Sequence, residues 1–185
     1  ISLTMREWHM EERKYKRIIV LGSTGSGKTV LSNSISKRTG IPVVHLDKEY
    51  WLPNWGRPTQ DEWINKLSTL VNNEEWIMDG NYIESLDERL KQADLVIVLD
   101  IEKNKCIRGV FFRTLKGIFF KRQDLNEGCH DSFNTGYREL ITWAKLFKTN
   151  YYPALMHKCF QYQNVDIQIF RSRKGAHDFV QKILK

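Results

Sequence analysis

The stretch Arg17-Ile18-Ile19-Val20-Leu21-Gly22-Ser23-Thr24-Gly25-Ser26-Gly27-Lys28-Thr29 joins a mostly apolar run to a complete GxxxxGK[ST] motif. The apolar run predicts a buried strand and the residues after Lys28 predict a helix, which is the setting that this motif requires. Successive backbone N–H groups in such a loop form a concave anion site, and the helix adds the positive end of its dipole. The stretch therefore predicts a P-loop and a phosphate-containing ligand.

Each part of this loop has an expected partner on a nucleoside triphosphate. Lys28 is expected to reach the β- and γ-phosphates and to take part in catalysis, and the Thr29 hydroxyl is placed to bind Mg²⁺. We therefore expect ATP and Mg²⁺ as cofactors. The residues predicted to bind the nucleotide through this loop are Gly22, Ser23, Thr24, Gly25, Ser26, Gly27, Lys28 and Thr29.

Composition limits the class of protein. The sequence has 185 residues, of which 41% are hydrophobic, and it contains no repeat or low-complexity linker, so we expect a single domain over 17–185. Residues 1–16 are expected to be an N-terminal extension, with Met5 or Met10 as a candidate start and some residues foreign to the protein. No apolar run is long enough for a membrane span, and three cysteines without a CxxC pair fit a reducing cytoplasm. A monomer and a homodimer both remain open.

Strand-like and helix-like segments alternate along the chain. Further strands are predicted at about 43–46, 75–78, 95–99 and 165–170, with helical patterns between them. This alternation predicts an α/β protein with a doubly wound five-stranded parallel sheet. Together with the P-loop it indicates the P-loop NTPase class, for which we expect the kinase-like strand order 2-3-1-4-5. A polar segment at about 122–136 is expected to form a helical lid.

Acidic residues follow three of the predicted strands, at the edge where open α/β sheets collect ligands. Asp79 is preferred to Asp100 as the Mg²⁺ ligand because the expected strand order places it beside the P-loop strand, whereas Asp100 is expected to cap a helix. Asp47 is either a general base for an acceptor hydroxyl or an acid that anchors its own loop, and both interpretations stay open.

Residues near these acids are predicted to hold the acceptor. Trp51 is expected either to stack on a planar or sugar-like acceptor or to pack in the core, and Gly80 is expected to let the backbone approach a ligand closely. The residues predicted to bind the acceptor are Asp47, Trp51, Asp79, Gly80, Tyr82 and Arg89.

The net charge of +7 is unevenly distributed, since the stretch from Lys103 to Arg122 has seven Lys and Arg residues and no acidic one. Because phosphoryl transfer spreads negative charge over the transferred group, Arg108, Arg113 and Arg122 are predicted to be catalytic lid cations. A solvated helix face is the alternative for this stretch. Arg173, after the last predicted strand, is expected to stack on the adenine ring.

The P-loop and three further motifs together resemble the DNA topology modulation proteins, the FlaR-type branch of the adenylate kinase-like P-loop kinases, over roughly 17–184. The resemblance implies an adenylate kinase-like fold that binds ATP, with the segment around 122–136 similar to a mobile lid. It implies no particular substrate, because the family is named for a genetic effect on DNA supercoiling. The three motifs are Gly40-Ile41-Pro42-Val43-Val44-His45-Leu46-Asp47, Trp51-Leu52-Pro53-Asn54-Trp55 and Trp76-Ile77-Met78-Asp79-Gly80-Asn81-Tyr82.

The sequence favours an ATP- and Mg²⁺-dependent kinase for a nucleotide, a nucleoside or a small hydroxylated metabolite. The alternative is a non-catalytic nucleotide-binding regulatory protein that contacts DNA through the basic stretch, although no recognition-helix motif is visible. Neither a zinc site nor histidine catalysis is expected, since His45 is flanked by apolar strand residues.

Overall fold

The computed structural model describes residues 15–119, 129, 133 and 135–183. Arg122, most of the predicted lid at 122–136 and nearly all of the N-terminal extension lie outside the described residues. No helix within the described ranges is both long enough and apolar enough to cross a membrane.

Five strands form a single parallel sheet. They are β1 (Arg17–Gly22), β2 (Val43–His45), β3 (Trp76–Asp79), β4 (Leu95–Leu99) and β5 (Asp166–Phe170). Their order across the sheet is β2-β3-β1-β4-β5, and every neighbouring pair is parallel. The predicted α/β class and the predicted strand order are therefore confirmed.

Helices connect these strands and cover both faces of the sheet. The chain enters the first helix directly after Gly27 and leaves it at Gly40, whose left-handed φ of 77° lets its N–H bond to the Ser36 carbonyl. The third helix starts at a capping box between Thr59 and Glu62, as its sequence pattern predicts. The helices are α1 (Lys28–Thr39), α2 (Leu46–Tyr50), α3 (Gln60–Val71), α4 (Leu86–Leu90), α5 (Lys103–Phe119), α6 (Thr135–Leu146), α7 (Tyr152–Phe160) and α8 (Arg173–Ile183), with 3₁₀ turns at Pro53–Trp55 and Ile83–Ser85 and a π-helical segment at Phe147–Tyr151.

The core has two halves, one on each face of the sheet. Successive side chains of β4 alternate between them, so that Val96 and Val98 pack with α3, α4 and α7 while Leu95, Ile97 and Leu99 pack with α1 and α8. Because both faces are covered, every residue of β4 is buried. This arrangement directs the loops at the carboxyl ends of the strands into one crevice.

The second strand ends earlier than the sequence pattern predicts. Leu46 and Asp47 belong to α2 rather than to β2, because the chain turns into a helix at Leu46 and buries this side chain completely. Asp79 is the last residue of β3 and lies beside Val20 of β1 and His45 of β2. The carboxyl edge thus brings the P-loop, His45 and Asp79 side by side.

The basic helix α5 packs against the backbone of the P-loop. A Cβ atom at Gly109 would lie 2.3 Å from the carbonyl oxygen of Gly25, and a Cβ atom at Gly25 would lie 2.2 Å from that of Cys106. Two glycines, one on each side, therefore permit this close approach.

Gly109→Ala is expected to displace α5 from the P-loop and to lower the free energy of unfolding by about 1–3 kcal/mol, as overpacking does elsewhere. Gly175→Ala in α8 is the matched control, since its nearest neighbour is the movable Ser172 hydroxyl at 3.1 Å. Urea unfolding of both variants measures the difference. Equal stability of the two would contradict the close packing described here.

Candidate functional site

The P-loop follows β1 and has the backbone conformation that its glycines allow. Gly22, Gly25 and Gly27 have φ values of 148°, 71° and 103°, a range that other residues seldom adopt. Gly27 is the N-cap of α1, so the first amides of this helix are available next to the loop. All eight residues predicted to bind the nucleotide are thus located in one strand–loop–helix unit.

Lys28 folds over the loop that precedes it. Its Nζ donates hydrogen bonds to the carbonyl oxygens of Gly22 at 2.8 Å and Ser23 at 3.0 Å. Burial lowers the pKa of Lys28 below its ordinary value, while the carboxylates of Asp47 and Asp79 act in the opposite direction. Both acids are therefore close enough to Lys28 to affect its charge.

Asp79 is 5% exposed and has one oxygen in use. Its Oδ1 lies 3.1 Å from Nδ1 of His45, whereas its Oδ2 is buried and has no hydrogen-bond partner among the described residues. A buried carboxylate oxygen without a donor is costly and is well suited to a cation. Together with the Thr29 hydroxyl it offers the oxygen ligands that Mg²⁺ prefers, and such sites use few protein ligands.

Asp100, the alternative Mg²⁺ ligand, has another partner. Its carboxylate accepts a hydrogen bond from Nζ of Lys148. The expected capping role is not observed, because α5 starts three residues later, at Lys103. Of the two acids, Asp79 is the one with a buried carboxylate oxygen that has no partner among the described residues.

Asp47 lies in the first turn of α2 and is exposed. The hydroxyl of Tyr82 donates a 2.9 Å hydrogen bond to its Oδ1. Burial and the neighbouring Asp47 carboxylate raise the pKa of Tyr82 above its ordinary value, so this phenol keeps its proton. The predicted acceptor-binding residues Asp47 and Tyr82 are therefore in direct contact.

The loop after β3 ties these groups to the P-loop. The Asn81 side chain accepts a hydrogen bond from the Gly22 N–H at 3.1 Å and donates one to the Gly22 carbonyl at 3.0 Å. Gly80, with φ of 134°, approaches Leu46 rather than open space, since a Cβ atom there would lie 2.9 Å from the Leu46 Cβ. The expectation that Gly80 leaves room for a ligand is thus replaced by a packing role against α2.

The prediction that Arg89 binds the acceptor is not supported, because the Arg89 side chain is fully buried. Its guanidinium donates to the carbonyl oxygens of Gly80 at 2.8 Å and Tyr82 at 3.2 Å, and also to that of Asn81. Burial lowers the pKa of Arg89 to about 10, so the group stays protonated at neutral pH. Arg89 therefore holds the loop that carries Asn81 and Tyr82.

The other predicted arginines have different environments. Arg113 is half-buried and close enough to Lys28 to lower the pKa of Lys28, whereas Arg108 is exposed on α5 and Arg122 lies outside the described residues.

Arg173 lies beside the P-loop as expected, but its Nε donates to the Ser26 carbonyl at 2.9 Å. Its Nη2 donates to the carbonyls of Gly25 at 2.8 Å and Lys105 at 3.2 Å. The expected stacking role is therefore replaced by one of fastening the P-loop to α5.

A groove of about 530 Å³ opens beside the P-loop, between α1 and α8. Its apolar side includes Val30, which is 76% exposed, and Leu31. Lys174 and His177 of α8 add polar groups. The groove starts at Gly27, so it continues from the loop predicted to bind phosphate.

Sequence reasoning did not assign a role to His45 or Asn81. Both were within motifs quoted above, but their contacts depend on neighbouring strands. His45 and Asp79 are partners in the register of β2 and β3, which a known strand order makes foreseeable. The Asn81 contact depends on the path of a loop, for which the sequence gives no comparable signal.

Comparisons with known proteins agree with this architecture. No family model matches the sequence. Over 116 residues the chain is 32% identical to an adenylate kinase from Encephalitozoon cuniculi, covering 52% of this chain and 66% of that protein. Over 93 residues it is 33% identical to the uncharacterized protein YqaC from Bacillus subtilis, covering 48% of this chain and 51% of that protein. The chain thus spans between about half and two thirds of the length of these curated relatives.

Among solved structures, a shikimate kinase from Acinetobacter baumannii in complex with shikimate is similar to this chain with a TM-score of 0.53. The sequences are 14% identical, and the match covers 91% of this chain and 90% of that one. At this identity the similarity concerns the fold. The chain has the five-stranded parallel fold of the P-loop kinases.

Proposed function

We propose that this protein is an ATP- and Mg²⁺-dependent phosphotransferase. The main support is that Lys28, Asp79 and Asp47 lie together at the carboxyl edge of the sheet, where the two carboxylates act to raise the pKa of Lys28 against the effect of its burial. A phosphate-binding loop, a carboxylate suited to a cation and a second carboxylate beside an open crevice are the groups that phosphoryl transfer needs.

The nucleotide would bind along the P-loop and the adjacent groove. Loop amides and Lys28 hold the phosphates, and the apolar surface at Val30 and Leu31 accommodates the base. Arg113 supplies positive charge near the transferred phosphate. Arg108 and Arg122 remain candidates for further charge on the same side.

Thr29 and Asp79 would hold Mg²⁺. The ion would neutralise charge on the phosphate oxygens as it develops during transfer. His45 holds the Asp79 carboxylate through Oδ1, which would leave Oδ2 to bind the cation.

Several acceptors are compatible with these groups. The similarity to an adenylate kinase makes adenylate one acceptor to test, and the solved shikimate kinase complex makes a hydroxylated small molecule another. The resemblance to DNA topology modulation proteins stays a prediction. A regulatory protein that binds nucleotide and DNA without transfer is the outcome expected if no acceptor stimulates ATP consumption.

Lys28→Met is expected to weaken ATP binding about 10- to 100-fold, because charge-assisted hydrogen bonds contribute about 1.5–3 kcal/mol each. It is expected to lower the transfer rate by about 10²–10³ or more. Isothermal titration with ATP and an assay of ADP formation measure both quantities. Lys37→Met, on the exposed end of the same helix, is the control and should match the wild type in both.

Asp79→Asn is expected to raise the Mg²⁺ concentration for half-maximal ADP formation about 10- to 100-fold, since a ligand oxygen loses its charge. Asp100→Asn is the matched control, because its carboxylate is bound to Lys148 and the requirement for Mg²⁺ should stay unchanged. A shift in Asp100→Asn but not in Asp79→Asn would assign the ion to the other acid.

Arg173→Ala is expected to weaken the binding of ATP and of inorganic triphosphate to the same extent, roughly tenfold, because it loosens the P-loop. If Arg173 instead stacked on adenine, only ATP binding would weaken, since triphosphate has no base. Arg171→Ala, two residues earlier and exposed, controls for the loss of positive charge. Titration calorimetry with the two ligands separates the two roles.

A further inference from the structure

A set of packed aromatic rings extends from Asp47 to the surface. We call Tyr50, Trp51, Trp55, Trp63 and Tyr82 the aromatic wall. The ring of Tyr82, whose hydroxyl bonds to Asp47, is centred 4.9 Å from Tyr50, which is 5.2 Å from Trp51. Trp51 is in turn 5.3 Å from Trp55, which is 43% exposed. The wall thus joins the candidate base to an exposed aromatic surface.

Two residues of the wall and the neighbouring Asn54 have an uncommon backbone conformation. Asn54, Trp55 and Tyr82 have φ values of 58°, 62° and 34°, and they are the non-glycine residues with positive φ in the described chain. A bridge between Leu52 and Gly56 closes the turn that carries Trp55. Such conformations persist only where surrounding contacts enforce them, and they concentrate at functional sites.

Among the described residues, two of the cations near the wall are already bound within the protein. The guanidinium of Arg89 is bound to the carbonyls of Gly80, Asn81 and Tyr82 inside the protein. Lys66 is bound to the carbonyl and the carboxylate of Glu49. Arg57 lies over the face of Trp51, 5.2 Å from the ring centre. The charged group that contacts the Tyr82 hydroxyl is instead the Asp47 carboxylate.

We infer that the acceptor is an uncharged hydroxyl compound with a ring or apolar face, such as a sugar, a cyclic polyol or a nucleoside, rather than a nucleoside monophosphate. This inference rests on the proposed function and specifies its acceptor. The C–H face of such a ring packs on the aromatic wall, and its hydroxyl donates to Asp47.

The chemical step follows from this placement. The acceptor oxygen forms a bond to the γ-phosphorus of ATP while its proton passes to Asp47, and the bond from the γ-phosphorus to the β,γ-bridging oxygen breaks. The products are the phosphate monoester, ADP and a proton held by Asp47. Tyr82 donates to Oδ1 and keeps its own proton, so it is a positioning residue for the base.

A phosphate acceptor has the opposite requirements. It is already ionised, needs no base and is repelled by a carboxylate beside its attacking oxygen. The Asp47–Tyr82 pair therefore favours a neutral hydroxyl over a phosphate.

The test measures ADP formation by the wild-type protein with ATP and Mg²⁺ against two matched panels. One panel contains hexoses, cyclic polyols and nucleosides, and the other contains their monophosphates. Transfer is expected to members of the neutral panel, with the corresponding monophosphates at least tenfold slower. Transfer to nucleoside monophosphates in preference to every neutral compound would overturn the inference and leave the phosphotransferase proposal intact. ATP binding without transfer to any neutral compound also counts against it, whereas failure to bind ATP would reject the proposed function itself.

Variants separate the base from its positioning residue. Asp47→Asn is expected to lower kcat about 10²- to 10⁴-fold without changing ATP affinity. Tyr82→Phe, which keeps the ring, should lower kcat several-fold and leave the acceptor KM within about twofold. Tyr162→Phe is the matched control, since its hydroxyl donates to Asp87 at 3.2 Å and the residue precedes β5, at the opposite end of the sheet. Full activity of Asp47→Asn with a neutral acceptor would contradict the assigned role.

Discussion

The arrangement of the crevice depends on the hydrogen bonds of a single residue, Gly22. Its N–H and carbonyl are both bound by the Asn81 side chain, and the same carbonyl accepts from Lys28. A side chain at this position would collide with β4, because a Cβ atom would lie 2.8 Å from the Leu99 carbonyl oxygen. The end of β1, the start of α1, the loop after β3 and the end of β4 therefore meet at one residue, so a shift in any of them displaces the phosphate-binding loop.

The buried charged side chains of Arg89 and Asp79 differ in how their hydrogen bonds are satisfied. Arg89 is fully buried, and the carbonyls of Gly80, Asn81 and Tyr82 accept hydrogen bonds from its two terminal nitrogens, whereas its Nε has no partner among the described residues. Asp79 keeps one oxygen without a partner in the described part of the chain. An unsatisfied buried polar atom costs about 1–3 kcal/mol, and a charged one costs more, out of a total stability of about 5–15 kcal/mol. Arg89 thus contributes to the fold, whereas the cost at Asp79 is consistent with the cation site proposed for it.

The sequence was sufficient for the parts of the fold that local patterns determine. The strand–loop–helix unit around Lys28 and the capping box at Thr59 follow from periodicity and turn residues close in the chain. The strand order was instead predicted from the order typical of P-loop kinases, and it is confirmed. The directions of Arg89 and Arg173 did not follow, because a guanidinium at the end of a long side chain can bind an acceptor or backbone carbonyls, and only the tertiary structure decides which carbonyls are near. The end of β2 at His45 also did not follow from the sequence. The chain turns into α2 at Leu46, and the Leu46 side chain is buried against Gly80.

The groups on the two sides of Lys28 differ in their chemistry. Backbone amides and glycines form the side proposed to bind the nucleotide, whereas aromatic rings and the Asp47 carboxylate form the side proposed to bind the acceptor. They are joined by consecutive residues, because Asn81 binds Gly22 and Tyr82 binds Asp47. Because these two residues are adjacent in the chain, the loop after β3 couples the position of the P-loop to that of the candidate base. Arg89 stabilises this connection, because its buried guanidinium binds the carbonyl oxygens of both Asn81 and Tyr82, so that one loop holds the proposed phosphate site and the proposed base.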